Sequence, residues 1–266
     1  MKLETAIRWA GRFALIGTMA FVLAASLPAY AAGSAADKKD KDKDKVKPEA
    51  PVVIDSGAFG IFIKGQRVAT ESFHIQQQNG VSTITSQVKE TAGGDSASQK
   101  SDLEITSRGE LLRYEWSQSS GGSLTVFPEN DFLKEKIATS AAAKTAEQAF
   151  LLPSSSPILD NNFFVHREVL TWRYLSSACK TEGGNLKCQQ DPAEFGTLVP
   201  QDRLSMSVRI ELLGKEKVTI RGAERTLLHL KLTGESFEWG LWIDDQDHFK
   251  LMRVEISADS TEVVRD

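Results

Sequence analysis

The chain has 266 residues and a formal net charge of −4. A mildly acidic chain is a poor match to sequence-independent nucleic-acid binding, which needs a basic face to neutralise phosphates. Its two cysteines do not form a C-x-x-C pair, and its four histidines are scattered at 74, 166, 229 and 248, so spacing supplies no redox or zinc motif.

The N-terminus reads as a secretory leader. Lys2, Arg8 and Arg12 make a positive start, residues 13–27 are uncharged and apolar, and Pro28 breaks the run before Ala29-Tyr30-Ala31. Small residues at that spacing suit a signal peptidase, and the apolar run falls short of the roughly 20 residues that cross a bilayer. We therefore expect residues 1–31 to be a signal peptide cleaved between Ala31 and Ala32. Cleavage removes three positive charges and one negative, which takes the formal charge from −4 to −6. No cysteine near that site could carry a lipid, and no later stretch is long and apolar enough for a transmembrane helix. The expected address is periplasmic or secreted.

Residues 32–55 are expected to be a disordered tether. Asp and Lys alternate over 37–45 with no apolar residue to bury, and Pro48 and Pro51 follow, so nothing offsets the entropy of ordering. Residues 56–266 then read as a single β-rich domain. Phe59, Ile61 and Ile63 share a face before a turn at Lys64-Gly65-Gln66. Strands over 67–77 and 81–90 meet at Gln78-Asn79-Gly80, a strong hairpin signal. Further strands are expected over 99–107, 110–119 and 123–127. The Ala- and Lys-rich stretch 131–149 reads as one or two helical turns or a loop.

The best helix pattern covers 160–175. Asp160 is placed to cap its start, and Phe164, Val165, Val169, Trp172 and Leu175 form one stripe on a helical wheel. Phe163, Leu170 and Tyr174 form a second, nearly opposite stripe. A helix apolar on two sides is enclosed rather than laid on a surface. Glu168 falls within the broad stripe, where a carboxylate without a partner would be costly.

Cys179 and Cys188 flank a segment containing Gly183-Gly184-Asn185, which can supply the positive φ of a tight reversal. In an oxidising compartment a local disulfide is the simplest reading, with free thiols or a redox or metal site as alternatives. Beyond it, Leu204, Met206, Val208, Ile210 and Leu212 alternate with polar residues, and Gly214-Lys215 is read as a turn. Rows of Leu228, Leu230 and Leu232, of Phe237, Trp239, Leu241 and Ile243, and of Met252, Val254 and Ile256 complete a meander with one apolar and one polar face. The fold expected is mainly β: a curved antiparallel sheet, half-barrel or barrel, with one enclosed helix around 160–175.

Several segments carry a resemblance. They are Phe59-Gly60-Ile61-Phe62 with the Lys-Gly-Gln-Arg-Val turn after it, the run from Ile158 to His166, Leu198-Val199-Pro200-Gln201 and the late Leu241-Trp242-Ile243-Asp244 strand. Together they resemble uncharacterised bacterial periplasmic proteins of the domain-of-unknown-function type. The architecture is similar to the lipoprotein-localisation factors, whose curved sheet wraps helices over an apolar cavity. This resemblance implies location and fold and brings no catalytic residue with it.

A search for chemistry finds no nucleophile elbow, H-E-x-x-H, Walker loop or dinucleotide fingerprint. His166-Arg167-Glu168 matches half of a zinc-deaminase signature whose second half is missing. Asp244-Asp245-Gln246-Asp247-His248 is an acidic cluster better read as an Asp-rich turn than a cation loop. No catalytic residue, metal ligand or cofactor is therefore expected. The function expected is non-enzymatic: an envelope protein holding an apolar ligand, lipid or lipidated partner in the concave face of the sheet. Phe163, Phe164, Val169, Trp172 and Trp239 are the candidate ligand-binding residues. The alternative is an assembly module whose core is full and whose partner is another envelope protein; a third reading, an enzyme, would require a cavity holding Glu168 or His166 beside a second titratable group.

Overall fold

The computed structural model describes residues 50–91, 98–183 and 185–266. The leader, the Ala31–Ala32 cleavage site and most of the expected tether lie outside them. The first strand is β1 (Val52–Ile63), so the last residues of the segment read as a tether, 52–55, belong to the sheet. It is followed by β2 (Gln66–Gln78), β3 (Val81–Glu90), β4 (Ser98–Thr106), β5 (Leu111–Gln118) and β6 (Ser123–Glu129). Next come β7 (Phe132–Ala138), β8 (Ala146–Phe150) and the helix α1 (Val165–Ala178). A short hairpin, β9 (Cys179–Glu182) and β10 (Asn185–Cys188), leads back to the sheet. The chain closes with β11 (Ala193–Val199), β12 (Leu204–Ile220), β13 (Ala223–Thr233), β14 (Glu238–Asp244), β15 (Lys250–Ile256) and β16 (Thr261–Arg265).

Fourteen of these strands make one curved, wholly antiparallel sheet. Its order runs from β11 through β16, crosses to β1, and continues through β8. Apart from the helical excursion, every connection joins neighbours, which is the meander that the alternation implies. Among the described strands β1 pairs non-locally with β16, where Phe59 faces Arg265 and Ile63 faces Thr261. That pairing joins the first and last strands into a continuous surface. The end strands β8 and β11 do not pair with each other. Near them, Ile158 forms a parallel bridge to Leu198 of β11, and Arg203 reaches Glu135 of β7 at 3.3 Å.

The turns follow residue chemistry. Asn79 and Gly80 adopt φ of 51° and 77°, as do Lys64 and Gly65, the two positive values that a two-residue hairpin needs. Gly214 is a correction: it is a bulge inside the long β12, at φ 138°, and the expected turn lies instead at Arg221-Gly222. Residues 131–149 are also corrected, from helical turns or loop to β7, β8 and their connection. In β7, Leu133 and Glu135 are both fully buried, so a carboxylate occupies an inward position and breaks the apolar alternation.

Phe59, Ile84, Leu103 and Val126 from one half of the sheet share a single core with Val208, Leu230, Leu241 and Val263 from the other. Helix α1 lies between them, and eight of its 14 residues are buried. A 14-residue helix is marginal alone. Burial of Val165, Leu170, Tyr174 and Leu175 supplies what propensity does not, at about 1.5–3 kcal/mol for each large apolar side chain. The enclosure expected from two apolar stripes is therefore observed. Its bounds shift from 160–175 to 165–178, and Asp160 does not cap it.

The outer face is less uniformly polar than the alternation suggests. Val218, Ile220, Leu227, Trp242 and Met252 form a second, small buried cluster. Trp242 stacks on His229 with ring centroids 4.4 Å apart.

Cys179 and Cys188 are disulfide-bonded and directly opposed in the β9–β10 hairpin. Among the described residues no helix is long and apolar enough to cross a membrane. The Asp-rich segment after β14 is a turn in which Asp244 Oδ1 accepts the Gln246 N–H at 3.0 Å, while Lys215 and Lys250 pair with Asp245 and Asp247.

Candidate functional site

A helix inside a sheet must satisfy its polar groups without water. At the start of α1 this is done by Glu71, an inward residue of β2. Its carboxylate accepts the backbone N–H of Phe164 at 2.6 Å and of Val165 at 3.2 Å, and the Ser86 hydroxyl at 2.8 Å. Burial pushes the Glu71 pKa up to about 7, although these donors and Arg167 oppose it. Asp160 instead organises the approach to the helix. It accepts the Asn162 N–H at 2.8 Å, the Tyr114 hydroxyl and the Gln201 amide, and burial raises its pKa.

Arg167 is completely buried. It donates to the Asp160 and Phe163 carbonyls and lies over the rings of Phe164 and Trp239, 5.2 and 4.8 Å from their centroids. Glu168, the residue flagged by its position in the stripe, is partnered through one of its two oxygens. It faces Arg265 of β16 at 3.4 Å and accepts the Leu251 N–H at 3.3 Å. Arg265 in turn holds Asp55 of β1 through contacts of 2.6 and 2.7 Å. Burial, and then Asp55, raise the Glu168 pKa well above its ordinary value. Further along, the Trp172 indole N–H donates to the Phe249 carbonyl at 2.9 Å, and the Tyr174 hydroxyl accepts the Leu212 N–H at 3.1 Å.

The flank of α1 facing β3, β4 and β5 is different. A cleft of about 330 Å³ runs along it, at the lower end of the size range of small-molecule sites. Leu103, Ile105 and Leu111 form the sheet wall, and His166, Val169, Leu170, Trp172, Arg173 and Ser176 form the helix wall. These helix positions recur every three or four residues, so they share one side of the helix. The mouth is at exposed Arg108 and Ser176, and the floor is closed by Leu103, Leu170 and His166.

His166 is 1% exposed, and neither ring nitrogen has a hydrogen-bond partner among the described residues. Tyr114 and Phe163 pack against its ring. Burial and the adjacent Arg167 push its pKa down to about 3, so the imidazole is neutral. Arg173 is half-buried at the other end. It donates to the Gly109 carbonyl at 3.0 Å and lies over Phe195.

Of the five residues singled out from the sequence, Val169 and Trp172 line this cleft. Phe163 and Phe164 are packed into the core, 0% and 6% exposed, and Trp239 covers Arg167. The sequence named His166 as a cavity residue only under the enzyme reading, and it did not place Arg173 in a cleft. Their signal was the 166, 169, 173, 176 spacing, which is invisible when only apolar residues are traced on the wheel.

A larger, more open depression of about 700 Å³ crosses β2 to β6. Ser72, His74, Thr85, Gln87, Asp102 and Glu115 line it from positions alternate to the core residues. Among the described residues no group of three or more His, Cys, Asp or Glu side chains is placed to hold a metal ion.

No family model matches the chain, and no curated protein matches it. Among solved structures it is similar to a β-barrel-like protein of domain of unknown function DUF1849 from Brucella abortus. The two are 5% identical with a TM-score of 0.40, over 79% of this chain and 94% of that one. No residue role is transferred at that distance.

Proposed function

We propose that this is an exported, non-enzymatic binding protein that holds a small apolar or amphipathic ligand between α1 and the β3–β5 wall. The observation that carries the reading is the cleft itself, with Leu103, Ile105, Leu111, Val169 and Leu170 in its walls and exposed Arg108 and Ser176 at its mouth. Val169 and Trp172 are the ligand-facing residues retained from the sequence-based set. An address outside the cytoplasm is supported by the leader and by the Cys179–Cys188 disulfide.

Native mass spectrometry of protein purified from its own cell envelope is the test. A bound small molecule that is lost on delipidation is expected. The delipidated protein should then take up a hydrophobic fluorescent probe and quench Trp172 emission. Delipidated protein that binds no such probe would overturn the reading.

A second reading, an assembly module, is favoured by one feature. Among the described residues strand β8 pairs only with β7, and Leu151 directly after it is 88% exposed. Crosslinking from position 151 in intact envelopes would recover one discrete partner if this edge is used.

A further inference from the structure

The cleft combines two features that a purely apolar container has no use for. Its floor holds the buried His166 imidazole, with both nitrogens unpaired among the described residues and the residue lining the cleft. Its mouth holds the Arg173 guanidinium, whose one protein acceptor among the described residues is the Gly109 carbonyl. Between them lie Leu103, Leu111 and Leu170. Seven helical residues separate Arg173 from His166, a rise of about 10 Å.

Buried polar groups are normally paired, and an unpaired one costs about 1–3 kcal/mol. A guanidinium that retains free N–H groups is suited to a carboxylate. A neutral imidazole offers one donor and one acceptor, which a hydroxyl matches in both directions. An ammonium is disfavoured there, because the fully buried Arg167 is the next residue in the chain.

Resting on the ligand-binding reading of the cleft, we propose that its ligand is a medium-length aliphatic carboxylate carrying a hydroxyl near its far end, the carboxylate at Arg173 and the hydroxyl at His166.

The test is calorimetric titration of delipidated protein with decanoate, ω-hydroxydecanoate and decanol. The hydroxyl gains a partner that was otherwise unpaired, so ω-hydroxydecanoate should bind about tenfold more tightly than decanoate. His166→Phe should erase that difference while decanoate still binds. Arg173→Met should weaken both carboxylates by a similar factor and leave decanol unchanged. As a readout that needs no variant, nitrogen NMR of the His166 ring in the unaltered protein should shift with ω-hydroxydecanoate and not with decanoate.

Equal affinity for the two acids with an unmoved His166 signal overturns the proposal and leaves the apolar cleft standing. Binding of none of the three, together with no uptake of a hydrophobic probe, overturns the ligand-binding reading itself.

Discussion

Replacing Arg265 by Met tests whether the seam between the first and last strands is held electrostatically. Arg265 is 9% exposed and Asp55 and Glu168 are 4% and 0% exposed, so two carboxyl groups and one guanidinium share a dry site. Burial, and then Asp55, raise the Glu168 pKa well above 4.5, which favours its protonated form beside the Asp55–Arg265 pair. Removing the guanidinium leaves Asp55 as a buried charge with only Lys250, 3.7 Å away, to compensate. Breaking a buried pair from one side costs about 3–5 kcal/mol, and Lys250 places the expectation near the lower end, at about 3 kcal/mol.

Urea unfolding at pH 7 is the assay, with the slope checked for constancy. Arg265→Met should lower the midpoint accordingly, and the triple variant Asp55→Asn/Glu168→Gln/Arg265→Met should recover most of the loss. A loss below about 1 kcal/mol for Arg265→Met would refute the reasoning, because a surface-like pair is worth no more than that. Titration adds an independent sign. With its folded pKa raised, Glu168 contributes stability that is fully present below about 4.5 and is lost as pH rises through the raised value. Glu168→Gln imitates the protonated acid, so it should gain on the unaltered protein as pH increases.

Glu71→Ala leaves two helix N–H groups without their acceptor and should cost about 2 kcal/mol. Because the Glu71 pKa is raised to about 7, the penalty should be largest near pH 4.5 and shrink as pH passes 7, measured as urea midpoints at both ends. Replacing Cys179 and Cys188 with Ser opens a loop with a sequence separation of 9 and should cost at most about 2–3 kcal/mol, seen as a lower Tm. Gly80→Ala places a Cβ at φ 77°, with open space around it, so conformational strain of about 1 kcal/mol should appear as a small drop in Tm.

The sheet was largely legible because its information is local. Alternation such as Leu228, Leu230, Leu232 reports which face is buried, and Asn79-Gly80 reports a turn whatever else the chain does. The enclosed helix was legible for the same reason, since two opposed apolar stripes lie within a few turns of sequence. What was not legible depends on distant partners. The cap on α1 comes from Glu71, 93 residues before Phe164, and the partner of Glu168 comes from Arg265, 97 residues after it. Residues 131–149 misled because Glu135 occupies an inward slot that only Arg203, 68 residues away, makes tolerable. Gly214 misled because one glycine signal serves both turns and bulges, and strand pairing decides between them.

The same pairings account for where the cleft lies. On three sides α1 is tied to the sheet by polar anchors: Glu71 at its start, Glu168 to β15 and β16, and Tyr174 to β12. Moving the helix on any of those sides would expose a buried carboxylate or strand a backbone N–H, at about 1–3 kcal/mol per group. Toward β3–β5 the contacts are aliphatic, and the tie is Arg173 to the Gly109 carbonyl at the rim. Separation there costs dispersion and apolar burial, which an aliphatic ligand restores in kind. The unsatisfied His166 lies on that same flank. Buried atoms without partners also occur at Glu135, Arg167 and Glu168, so what distinguishes His166 is that it lines the cleft.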